Sequence, residues 1–141
     1  MNWKLVGLLS LFGVAMGLGL VFFIPSNIEP ILWLVIFVFS GYQIAKHCPK
    51  RRFLHGLLVG LFDSLLKTTT HLSLLSVYLA RHQQEIAMIR KMTSAVTPVQ
   101  LIVLTAPVWG LIYGVVTGLL AVLAASLIKA KQRAKSTGVN A

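Results

Sequence analysis

Asp63, Lys67 and His71 recur at four-residue spacing inside the apolar run FLHGLLVGLFDSLLKTTTHLSLLSVYLA. Residues four apart share a helix face, so a carboxylate, an amine and an imidazole project from one side of this segment. In a wet cavity such a trio can relay protons or coordinate a transported ion, since histidine titrates near neutral pH. In lipid it is costly, at about 2.5–3.5 kcal/mol for each charged side chain near a helix centre. Ionisable side chains at that depth face a bundle interior or a wet cavity and are functional-site candidates by default. Asp63 lies N-terminal to Lys67, the better orientation for an i,i+4 ion pair, and is its expected partner. Two readings follow: an ion or proton pathway, or a self-neutralised pair that fixes helix register.

The same face extends through His55 and Val59, with Thr70 and Tyr78 beside it. From Arg52 to Arg81 an unbroken helix would measure about 43 Å at 1.5 Å per residue, the thickness of a bilayer with its headgroups. That count puts Lys67 near the midplane. His55 and His82 fall toward the two ends and read as interfacial residues.

Three further apolar runs are long enough to accompany this one. The expected spans are 5–24, 31–45, 53–80 and 99–128, in one membrane domain, with a basic tail over 129–141 that frays. Ser26-Asn27-Ile28-Glu29 has the form of a capping box before the second span. Thr97-Pro98 reads as an N-cap followed by proline at the first helical position. Between Arg81 and Thr97, Ile86, Ile89 and Met92 alternate with Gln83, Gln84, Arg90 and Lys91. This pattern fits either a short helix on the membrane face or an extension of the third helix.

Composition supports lipid as the solvent. The 141 residues are 57% hydrophobic and only 11% charged, where a soluble domain carries about a quarter charged residues. The net charge of +10 could mark a nucleic-acid binder. However, the basic residues sit at the ends of apolar runs, so no nucleic-acid partner is expected. Lys4, Lys46, Lys50, Arg51, Arg52, Lys129, Lys131, Arg133 and Lys135 fall on one side, nine in all, against Arg81, Arg90 and Lys91 on the other. The positive-inside rule then places both termini in the cytoplasm. The expected fold is all-α, a polytopic membrane protein of four transmembrane helices.

Glycine spacing suggests how the helices meet. Gly110, Gly114 and Gly118 form a ladder in the last span, with Pro107 on the same face, and Gly13/Gly17 and Gly56/Gly60 repeat the spacing. Small residues at this interval allow close helix approach in lipid, within one bundle or between copies. Pro107 frees the Val103 carbonyl, which is either an ordinary kink or a backbone oxygen offered to water or an ion.

The single cysteine, Cys48, allows no intrachain disulfide and reads as a reduced loop thiol. His47-Cys48 lacks further ligands nearby, so no metal and no cofactor are expected. A lipid-modifying enzyme would need a nucleophile, base and electrophile together. His71, Asp63 and Ser64 fail that test because Ser64 is adjacent to Asp63 and points elsewhere, so no enzyme is expected.

The stretches FLHGLLVGLFDSLL, YLARHQQEIAMIRKM and TAPVWGLIYGVVTGLLAVLA resemble an uncharacterised family of small bacterial membrane proteins. The resemblance implies four helices, a polar third helix, a glycine-rich last helix and a place in the inner membrane; it carries no activity. Small multidrug exporters and fluoride channels share the size, but their first-span glutamate and G-G-x-x-G-A-x-x-R-Y pattern are missing here. The expected function is therefore an oligomeric ion or proton pathway using Asp63, Lys67 and His71. The alternative is a membrane scaffold that docks another copy or a membrane protein partner through its glycine faces.

Overall fold

The computed structural model describes residues 1–25, 27–84, 87, 91 and 97–138. All regular structure among them is helical: α1 (Trp3–Phe22), α2 (Glu29–His47), α3 (Arg52–Ser73), α4 (Leu75–Arg81) and α5 (Pro98–Gly138). Two segments, Trp3–Phe22 and Val99–Ala134, are long and apolar enough to cross a membrane.

Local chemistry sets the helix ends. The Asn2 side chain accepts from the Leu5 N–H at 3.2 Å and caps α1. At its other end the Arg81 guanidinium donates to the Phe22 carbonyl at 2.7 Å, satisfying one of the carbonyls a helix leaves open. Thr97 and Gln100 form a reciprocal capping box. The Gln100 side chain accepts from the Thr97 N–H at 2.9 Å, and Thr97 Oγ1 accepts from the Gln100 N–H at 3.3 Å. Ser26 lies outside the described residues, and the Glu29 carboxylate of the expected box at α2 is turned to Trp33 and Lys67 instead.

The α2–α3 turn depends on Arg51, which adopts the left-handed conformation at φ 53°. That conformation costs a non-glycine residue about 1–2 kcal/mol. His55 holds it: its Nδ1–H donates to the Arg51 carbonyl at 2.8 Å. Its Nε2 then accepts from the Asn2 N–H at 3.0 Å. His55 is 3% exposed. It ties the start of α1 to the start of α3 and is not an interfacial side chain.

The helices differ from the expected segments in two places. The run over 53–80 breaks at Leu74, between α3 and α4. Thr69, Thr70 and Ser73 each donate a hydroxyl to the carbonyl four residues earlier. Such back-bonding competes with the helix ladder and bends it. The basic tail, expected to fray, continues α5 to Gly138; Lys, Ala, Gln and Arg are good helix formers. The expected membrane-face helix at Ile86, Ile89 and Met92 lies outside the described residues.

α3 is the central helix. It packs on α1 and α5, α2 packs on α5, and the consecutive helices α1 and α2 keep their backbones apart and meet through side chains such as Phe12 and Phe39. The contacts follow the glycines. Gly60 lies directly against the Gly114 backbone, and Gly56 against Gly118. A Cβ on Gly114 would stand 2.5 Å from the Leu57 carbonyl oxygen, and one on Gly17 would stand 2.8 Å from Thr70 Cβ. Gly13 abuts the Asp63 backbone, and Gly110 meets Ser64. All seven ladder glycines are thus occupied inside this bundle.

Gly60→Ala should therefore destabilise the bundle by about 1–3 kcal/mol or more, because the new methyl meets backbone that cannot step aside. Gly7, with nothing within 4 Å, is the control: Gly7→Ala should stabilise by roughly 0.5–1 kcal/mol through helix propensity. Unfolding followed by circular dichroism in detergent micelles distinguishes the two.

Candidate functional site: a polar cavity beside an interhelical ion pair

The polar row of α3 faces inward. His55, Asp63, Ser64 and His71 are buried, whereas Phe53, Leu54, Phe62 and Leu65 of the same helix are exposed. Each four-residue step turns a helix by about 40° beyond a full circle. From Asp63 to His71 the row therefore swings by about 80°, enough to aim its members at different neighbours.

Asp63 faces α1. Its Oδ1 accepts from the Gly13 N–H at 2.9 Å, and its Oδ2 is buried without a partner. Lys67 pairs with Glu29 at the start of α2, not with Asp63 as expected from spacing. Glycine at position 13 lets the α3 backbone come so close that Asp63 meets an amide of α1. Asp63 lies opposite Gly13, midway along α1, whereas Lys67 reaches the first residue of α2. The count to Arg81 assumed one straight helix. Arg81 instead returns to the end of α1, which α3 extended without a break would overshoot.

The ion pair is built into an aromatic wall. The Trp33 indole N–H donates to the same Glu29 oxygen at 3.0 Å, and Lys67 Nζ lies 5.6 Å from the Trp33 ring centroid. Trp33 packs in turn on Phe37 and Tyr113, at centroid separations of 5.4 and 4.5 Å. Beside the pair is a cavity of about 160 Å³ bounded by Lys67, Thr68 and His71 of α3 and by Trp109 and Tyr113 of α5. The rings of His71, Tyr78 and His82 stack in sequence at 4.6 and 4.4 Å along its edge. His71 is 6% exposed and its Nε2 has no partner.

Of the expected trio, Lys67 and His71 border this cavity, and Asp63 is sealed behind it against α1. Ser64 also borders it and donates to the Ala106 carbonyl at 2.7 Å, docking α3 beside Pro107. That hydroxyl is engaged with backbone, and no base touches it. Glu29 was missed as a site residue because its capping-box context offered it another partner. The available signal was scarcity: with three acids against thirteen Lys and Arg, a carboxylate near an apolar run has many cations to meet. Among the described residues, no three His, Cys, Asp or Glu side chains converge on a metal position.

No protein family, curated protein or solved structure matches this chain.

Cys48 lies in the turn after α2, as expected, and is buried there at the opposite end of the bundle. It is 3% exposed and packs with Val6, Leu9, Ile44, Val59 and Ala121. Burial pushes its thiol above the usual range, opposed by the positive N-terminus and Arg52. A raised value leaves less thiolate at a given pH. Maleimide labelling at pH 8 should be slow in folded protein and at least tenfold faster in denaturing detergent.

The pairing of Lys67 can be read energetically. A double-mutant cycle of Glu29→Gln with Lys67→Met, followed by unfolding in micelles, should show a coupling of about 0.5–3 kcal/mol. The cycle of Asp63→Asn with Lys67→Met should show a smaller one.

Proposed function

We propose that this chain is a bacterial inner-membrane protein that passes ions or protons through the polar interior of a single four-span bundle. The observation that carries the reading is the polarity of α3, which buries His55, Asp63, Ser64 and His71 while exposing Phe53, Leu54, Phe62 and Leu65. A soluble helix does the reverse. The other helices agree: Leu8, Leu11, Leu34, Val38, Leu119 and Leu123 are all exposed. Only 44% of the apolar window in α1 and 33% of that in α5 is buried, less than a soluble core helix requires.

In this reading α1, α2, α3 with α4, and α5 are the four spans. The excess of Lys and Arg at the α2–α3 turn and both termini puts those parts in the cytoplasm. The bacterial inner membrane follows from the family resemblance. The cavity then lies in the outer half, with Lys67, Glu29 and His71 at its wall and Asp63 at mid-depth. The apolar cluster of Val6, Leu9, Ile44, Val59 and Ala121 closes the cytoplasmic half. The described conformation is thus a closed one, and conduction requires this cluster to part.

Purified protein in liposomes should support ion- or proton-dependent flux that falls at least tenfold in Lys67→Ala and in Asp63→Asn. Val59→Ser, which places a hydroxyl in the apolar closure, should raise it. Unchanged flux in both loss variants would sink the proposal.

A further inference from the structure

Glu29 reveals what kind of ligand the cavity wall accepts. Its carboxylate is held by the Lys67 ammonium and by the indole N–H of Trp33, a residue only 3% exposed. Lysine and tryptophan offer protons and no acceptor. Glu29 is also the first residue of α2, where the positive end of the helix dipole favours negative charge. This is an anion site whose occupant is tethered to the chain.

The adjoining space and polarity fit a free ligand of the same sign. The cavity of about 160 Å³ far exceeds the roughly 10–15 Å³ needed for one water, so a small ion with its hydration fits beside the pair. His71, buried with an unpartnered Nε2, borders the same space and donates to an anion in its Nε2–H tautomer. A cation has a poorer welcome. Lys67 repels it, one Glu29 oxygen already accepts two donors, and Asp63 does not reach the cavity. The Glu29 side chain keeps 24% of its surface exposed, so it can swing outward when displaced.

We propose that the cavity binds a small monovalent anion, of halide or carboxylate type, which displaces Glu29 from Lys67 and Trp33. Glu29 is then a built-in competitor that keeps the site occupied until the anion arrives. This rests on the reading of the cavity as the working site and adds the sign of the ion.

The experiment is a titration of detergent-purified Trp3→Phe protein, whose remaining tryptophans, Trp33 and Trp109, both stand at the site. Sodium formate and sodium chloride are added at constant ionic strength against gluconate. Tryptophan emission should respond to the small anions and not to exchange of sodium for choline. In Glu29→Gln the half-saturating concentration should fall at least tenfold, because the tethered competitor is neutral. Lys67→Met should abolish the response and Lys67→Arg should keep it. Circular dichroism and gel filtration must first show each variant folded; the Glu29→Gln/Lys67→Met double variant, with both charges gone, provides a second silent control. A response that follows the cation would overturn the anion assignment, as would unchanged or weaker affinity in Glu29→Gln. Flux that persists with gluconate as the sole anion would overturn it while leaving the pathway standing. Anion binding without flux would do the opposite.

Discussion

The bundle depends on how closely α3 approaches α5. Gly56 and Gly60 lie against the backbones of Gly118 and Gly114, and no larger residue at either pair permits that separation. In the membrane reading, burying apolar side chains between helices gains little, and dispersion between closely packed backbones holds the helices together. This contact also sets where the cavity lies. Along α5 toward its N-terminus the glycines give way to Trp109 and Thr105, and along α3 past Gly60 they give way to Lys67, Thr68 and His71. The helices are tight where both surfaces are glycine and leave space where both carry side chains. Ser64, bonded to the Ala106 carbonyl, marks the border.

The second consequence concerns charge. Two interior acids are used in opposite ways. Asp63 is fully buried and spends one oxygen on an α1 amide that only a glycine can bring so near. Glu29 stands at a helix end and meets a cation from another helix. The Asp63 bond fastens α1 to α3, and the Glu29 bond fastens α2 to α3. The Asp63 bond reinforces an interface that already packs closely, whereas the Glu29 bond joins α2 to α3 where their direct packing is sparse. Their removal would loosen different halves of the molecule, so a site and a brace coincide in each.

Much of this architecture was legible in the residues. The polar row of α3, the glycine ladders and the proline-led start of α5 follow from composition and period alone. What spacing could not convey was azimuth. A row at four-residue intervals drifts by about 40° per step, so three residues that share a face on paper met α1, α2 and the Tyr78 ring. The break at Leu74 was similarly hidden, because Leu, Ser, Val and Tyr continue the apolar pattern and only the hydroxyl bonds at Thr69, Thr70 and Ser73 betray the bend. Glu29 was assigned to its nearest local role. Its actual partner is 38 residues away, a distance that no local motif can bridge.

The lopsided interior constrains any mechanism. The half containing the cavity is polar and bounded by long side chains that can rotate; the half containing Cys48, Val59 and Ala121 is apolar and closely packed. In the proposed pathway an ion that reached Lys67 would meet Asp63 next, one helical turn back along α3, and then the wall formed by the apolar cluster of Val6, Leu9, Ile44, Val59 and Ala121. Opening that wall means moving α1, since Val6 and Leu9 supply part of it. In that pathway the Gly13–Asp63 contact would be the point about which α1 moves. An ion arriving at the buried, unpartnered Oδ2 of Asp63 would change the charge beside the hydrogen bond that Asp63 accepts from the Gly13 N–H of α1. A single carboxylate, Asp63, thus stands in the proposed pathway between the cavity and the apolar closure. The first event in the proposed pathway is an exchange at the Lys67–Glu29 pair, since both of its charged groups border the cavity.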